Sequence, residues 1–243
     1  MRYINLQELL LKRDCWRETR ELWKNVTLKK DFREFFYDKC WYTEVILAGS
    51  DIDIDHFRPK ASVKQYKDYH YNEQGYEWLK NEPSNYRGSC AVANRPHGKG
   101  GKRNYFPLKA NSPLMQEDNP VEEKPLLLDP CKREDVELIS YLGGMVTCAS
   151  HDPDDVTRCR VSGELYNWDD TFIKRERVKV WEEIERTIEE YEAEDDNRLK
   201  QFCLRRLRDA VSREAPFSAC AISCVKSMAP DEIKQELAAD LVL

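Results

Sequence analysis

Apolar residues recur at helical spacing through residues 5–38: Leu6, Leu9, Leu10, Trp16, Trp23 and Val26, then Phe32, Phe35 and Phe36 after a break near Thr27. That spacing predicts a helical N-terminal arm. The period changes at Asp51-Ile52-Asp53-Ile54-Asp55, where strict alternation predicts a short strand with isoleucines on one face and carboxylates on the other. Pro113, Pro120, Pro125 and Pro130 make the next stretch irregular, and weak strand signals follow around Leu138–Val146. Helical spacing then returns. Val178, Trp181, Ile184, Ile188 and Tyr191 form one stripe, and Leu199, Phe202, Leu207, Ala210 and Val211 a second. A third helix opens at Pro230, with Asp231 and Glu232 in its first turn. The chain divides into a helical arm (1–38), a mixed segment (39–110), an irregular connector (111–165) and a helical region (166–243), which is an α+β reading.

The chain has 243 residues, enough to bury a sizeable core, and is 35% charged and 41% hydrophobic. No apolar run reaches the roughly 18 residues a membrane span needs. The N-terminus carries no secretory pattern, and the nine cysteines are odd in number with no CxxC pair, so a cytoplasmic protein with reduced thiols is expected. The net charge of −6 hides an asymmetry: residues 58–109 hold eleven Lys/Arg against four acids, a local +7. A basic island in an acidic chain is the footprint of an anionic ligand such as a phosphate backbone. The acidic run Glu189–Asp196, beside the stripe ending at Tyr191, suits a protein partner or a solvated helix end.

One constellation carries chemistry. Asp55-His56 closes the predicted strand, and Asn85 and Asn94 follow nine residues apart. A carboxylate and an amide oxygen suit a hard cation such as Mg²⁺ or Mn²⁺, which keeps several waters. A neutral imidazole accepts a proton from water near neutral pH. Together they suffice for phosphodiester hydrolysis.

The runs Asp53-Ile54-Asp55-His56-Phe57-Arg58-Pro59-Lys60 and Asn85-Tyr86-Arg87-Gly88-Ser89-Cys90-Ala91-Val92-Ala93-Asn94-Arg95 resemble the HNH endonucleases. Phe106-Pro107-Leu108, Pro125–Cys131 and Pro216-Phe217-Ser218-Ala219 narrow the likeness to the HNH subunits of Septu-type bacterial anti-phage defence systems, which also accompany some retrons. The resemblance implies a ββα-metal core flanked by the helical regions. It implies His56 as general base, Asp55 and Asn94 as metal ligands, and Asn85 as the residue that holds the loop behind His56. Arg58 and Lys60 would flank the site, with Lys99, Lys102 and Arg103 as further nucleic-acid contacts. His97 is the alternative ligand to Asn94 if the helix is shifted. The partners implied are nucleic acid (DNA before RNA), an ABC-type ATPase subunit and, in retrons, the reverse transcriptase with its RNA–DNA product.

The sequence also departs from that family. Where many relatives carry two CxxC pairs for a structural zinc, this chain reads Cys40-Trp41-Tyr42-Thr43 and Cys90-Ala91-Val92-Ala93. Two thiolates make a poor tetrahedral zinc site, so no structural zinc is expected. The lost cysteines also leave open a decayed binding or scaffold subunit. Tyr66, Tyr69, Tyr71, Tyr76 and Trp78 could stack on bases, or simply pack a small subdomain.

Overall fold

A computed structural model describes residues 1–16 and 19–242, so the helical reading of 5–38 falls partly outside the described residues. Within the arm the periodicity is broken into pieces. Helix α1 spans Leu6–Leu10 and helix α2 Val26–Phe35, with short 3-10 turns at Arg13–Cys15 and Leu22–Lys24 between them. Asn25 caps α2 by accepting from the Leu28 amide at 3.0 Å, which fixes its start after the turn.

The alternating segment forms strand β1, Asp53–His56, paired antiparallel with β2, Tyr86–Ser89, so that Asp55 faces Arg87 and His56 faces Tyr86. A short helix α3, Ala91–Asn94, follows β2 directly. Two glycines set this geometry. A Cβ at Gly88 would lie 2.7 Å from the Trp41 indole nitrogen, and only glycine lets that ring lie against β2. Gly101, at φ +94°, turns the chain so that the Lys102 and Arg103 amides donate to the carbonyls of Ala93 and Asn94, at 2.8 Å each. The loop after α3 is thereby laid under the helix.

The stretch expected as irregular connector contains more order. Helix α4 spans Arg133–Glu137, a hairpin pairs β3 (Ile139–Leu142) with β4 (Met145–Cys148), and helix α5 covers Pro153–Leu165. Asp152 caps α5 with Pro153 at its first position, a start signal present in the sequence. Helix α6 (Thr171–Ala193) packs against α7 (Asn197–Val211) and α8 (Ser218–Met228), and α9 spans Asp231–Glu236. The second apolar stripe is rotated from its expected position: Leu199 and Phe202 are exposed, and Cys203, Leu204, Leu207 and Val211 face inward.

One hydrophobic core runs through all of these elements. Polar ties reinforce it between the segment that precedes β1 and the connections of the C-terminal region. Lys39 Nζ donates to the carbonyls of Arg213 (2.6 Å) and Ala215 (2.8 Å), and Trp168 Nε1 donates to the Tyr42 carbonyl at 2.9 Å. No helix among the described residues is long and apolar enough to cross a membrane.

Candidate active site

A cavity of about 560 Å³ opens beside β1 and the end of α3. Asp53, Asp55, His56 and Asn94 line it, together with six cations: Lys24, Lys29, Lys60, Lys64, Arg95 and Arg103. A hairpin followed at once by a short helix brings these residues together, because the strand end and the helix end close on one another across the β1–β2 pair.

His56 is buried, with Nε2 2.9 Å from the Lys80 carbonyl oxygen. A carbonyl only accepts, so Nε2 carries the proton and Nδ1 is the basic ring nitrogen. Burial lowers the imidazole pKa to about 4, against 6.5 ordinarily, which keeps the ring neutral at pH 7 with Nδ1 unprotonated, and makes it a weaker base than an exposed imidazole. Trp23 and Tyr86 each meet the ring nearly edge-on, with centroids 5.0 Å away.

Asn85 is buried and bonded twice to one residue: its Oδ1 accepts from the Arg58 amide at 2.8 Å, and its Nδ2 donates to the Arg58 carbonyl at 2.9 Å. The Asn85 carbonyl also accepts from the Phe57 amide at 2.8 Å. The chain leaving His56 is thus clamped.

The two aspartates of β1 are placed differently from the sequence expectation. Asp55 is turned inward, where Oδ2 accepts from the Tyr42 hydroxyl at 2.6 Å and Oδ1 pairs with Lys102 at 3.0 Å. Asp53, on the carboxylate face of the alternating run, accepts from Asn94 Nδ2 at 3.2 Å and from Arg95 through both oxygens, at 2.6 and 2.8 Å. Asn94 Oδ1 is not used in that contact. His97 is exposed, lies 3.2 Å from Asp170, and does not line this cavity.

The expected nucleic-acid contacts separate into two groups. Lys60 and Arg103 line the cavity. Lys102 does not reach a surface: it is fully buried, because Gly101 folds its segment under α3, and it donates to Asp55 and to the His56 carbonyl (2.7 Å). Arg58 is held by Glu123 at 2.9 Å over the Phe106 ring. Lys99 is exposed but lines a separate cavity with Arg160 and Cys159. Much of the basic island is therefore matched by acids: Arg87 with Asp129, Lys67 with Glu164, Lys109 with Asp154. Tyr76 is buried against Glu123 and Phe106, and Tyr66 binds Glu164, so these aromatics pack the fold. The arm's contribution, Trp23, Lys24 and Lys29, had no sequence signal, since nothing local ties it to residues 30 positions later.

Cys40 and Cys90 are buried neighbours, and the Cys40 sulfur together with burial pushes the Cys90 thiol up. Thr43, which closes the Cys40–Thr43 run, has its Oγ1 3.9 Å from Cys90 Sγ.

Two curated proteins share sequence with this chain. Septu protein PtuB of Bacillus mycoides (strain KBAB4) is 32% identical over 123 residues, covering 50% of this chain and 40% of that protein. The chain is Septu-like in sequence. Septu protein PtuA of the same strain is 30% identical over 107 residues, 43% of this chain and 14% of that protein. The chain thus spans less than half the length of either relative it matches. No protein-family model matches it.

Proposed function

We propose that this chain is a metal-dependent HNH endonuclease of a Septu-type anti-phage defence system, cutting phosphodiester bonds in nucleic acid, DNA before RNA. The observation that carries the reading is His56: its Nε2 is committed to the Lys80 carbonyl, its Nδ1 carries no proton, and it lines a cavity shared with Asp53 and Asn94 under six cations.

In this reading His56 Nδ1 takes the proton from the attacking water. Asn85 fixes the backbone behind it by bonding both polar groups of Arg58. Lys60, Lys64 and Arg103 receive the phosphate oxygens. The oxygens that suit a hard cation at the cavity wall are those of Asp53, now paired with Arg95, and Oδ1 of Asn94, whose Nδ2 goes to Asp53. Asn94 with Asp53 would hold Mg²⁺ or Mn²⁺ once Asp53 releases Arg95, which bonds both its oxygens, and Asp55 would join only on leaving Lys102 or Tyr42. The bound ion supplies neutralisation of charge on the phosphate and the leaving oxygen. PtuA is a second protein named for the same system, which supports a multi-subunit assembly; an ABC-type ATPase is the proposed partner.

A second reading, a decayed scaffold subunit, is favoured by one observation: both oxygens of Asp55 are occupied internally. Plasmid nicking by the purified chain, alone and with the neighbouring operon product, separates the two. Cleavage with Mg²⁺ that is lost with EDTA and in His56→Gln supports the nuclease. Intact plasmid under all these conditions, with the complex formed, supports the scaffold.

A further inference from the structure

Trp23 belongs to the N-terminal arm, yet its indole lies among the site residues. Its ring is edge-on to the His56 imidazole, with centroids 5.0 Å apart at 74°. Lys60 Nζ sits 3.4 Å above the centre of the same indole. A cation over the indole face and an imidazole against it are both favourable arrangements for that ring's charge distribution. The arm is held at the same place through its backbone. The Leu22 amide donates to Asn81 Oδ1 at 3.1 Å, and Asn81 Nδ2 donates to the Arg20 carbonyl at 3.3 Å. The adjacent residue, Lys80, provides the carbonyl that accepts from His56 Nε2 and from the Tyr86 hydroxyl. The turn that carries Trp23 and the loop that orients His56 are thus one connected unit.

Trp23 is not available as a platform for a nucleobase on the face that Lys60 covers. Its contacts go to two groups of the site, one that accepts a proton and one that meets phosphate. We propose that Trp23 is a positioning residue, which holds the His56 ring and the Lys60 ammonium in a single fixed arrangement at the cavity. The role in cleavage rests on the nuclease reading above; the geometric claim does not.

The test uses the full-length chain with Trp23→Phe, Trp23→Ala, Lys60→Ala and the Trp23→Ala/Lys60→Ala pair. The first readout is the ring-proton spectrum of the four histidines at one fixed pH, with His56 assigned by loss of its signal in His56→Gln. The expected result is that Trp23→Ala moves the His56 signal and leaves those of His70, His97 and His151 in place. The second readout is binding to a short DNA duplex as salt is varied. There Trp23→Ala should weaken binding as Lys60→Ala does, and the double variant should bind no worse than either, because both remove one unit. The third is single-turnover cleavage, where Trp23→Ala should slow the reaction about 10- to 100-fold through a displaced base, and Trp23→Phe should restore most of the rate.

An unmoved His56 signal, or additive losses in binding, overturns the proposal. If Trp23→Ala does not fold, Trp23→Leu keeps apolar volume without the ring and replaces it in every comparison. The histidine spectrum and the binding cycle are read without any cleavage, so a wild-type chain that cuts nothing overturns the nuclease reading and leaves the positioning claim to stand or fall on those two.

Discussion

Lys102 Nζ lies 3.0 Å from Asp55 Oδ1, and both side chains are buried. Burial pulls the Lys102 pKa down while the facing carboxylate opposes it. The aspartate next to the candidate base is therefore part of the interior, bonded to Tyr42 on one oxygen and to Lys102 on the other.

Removing one half of that pair strands the other. Lys102→Met should destabilise the fold by about 3–5 kcal/mol, as for other buried ion pairs broken on one side. Adding Asp55→Leu should recover much of the loss. Urea unfolding of the single and double variants measures both, and an unchanged midpoint for Lys102→Met would contradict the burial of the pair.

The neutral His56 predicts acid sensitivity. Its folded pKa of about 4 lies below the ordinary 6.5, so between those values the unfolded chain binds more protons than the folded one. Stability should fall as pH drops through this window, by up to about 3 kcal/mol at roughly 1.4 kcal/mol per pH unit. His56→Gln should flatten this part of the profile. Urea midpoints compared at acid and neutral pH for both proteins decide it, and parallel profiles would show that His56 is not the group responsible.

Asn85→Ala removes the two bonds that hold Arg58 and leaves a buried amide and carbonyl without partners. The cost should be about 1–3 kcal/mol, with cleavage falling further than stability because the His56 backbone loses its clamp. Asn85→Asp cannot replace the donor to the Arg58 carbonyl and should fare little better. A variant that cuts at the wild-type rate would remove Asn85 from the site.

For zinc, elemental analysis of the native chain should read far below one atom per chain, since Cys40 and Cys90 supply two sulfurs and Thr43 and Ala93 none. Thr43→Cys with Ala93→Cys should create a four-thiolate site and raise the content toward one. Stoichiometric zinc in the native chain would mean that other side chains complete the set.

The sequence made the local parts of this site readable. Alternation at Asp51–Asp55 marked β1, and the resemblance carried by Asn85–Arg95 implied the second strand and the helix that stand there as β2 and α3. What it concealed depends on distant pairing. Alternation alone gave Asp53 no partner, and α3 with its following residue brings Asn94 and Arg95 onto it. Lys102 and Arg58 counted toward a positive surface, although Asp55 and Glu123 take them into the fold. Helix α8 gave no periodic signal because Cys220, Ala221, Ile222, Cys224 and Val225 are buried nearly all round it, so no polar face reveals its pitch. Leu199 and Phe202 misled in the opposite direction, as exposed apolar residues on a helix whose inward face lies at Leu204 and Leu207.

The guanidinium of Arg87 on β2 is buried against Asp129, forty-two residues further along, through two bonds of 2.6–2.7 Å. This contact bears on whether the hairpin and its helix are portable. A fragment cut after residue 110 would keep the arginine and discard its counter-ion, leaving a bare positive charge in an apolar interior. The recognisable motif is therefore not a self-sufficient cassette. Transplanting it into another scaffold would require bringing along the strip that ends at Asp129, or first replacing Arg87 with an uncharged residue of similar volume.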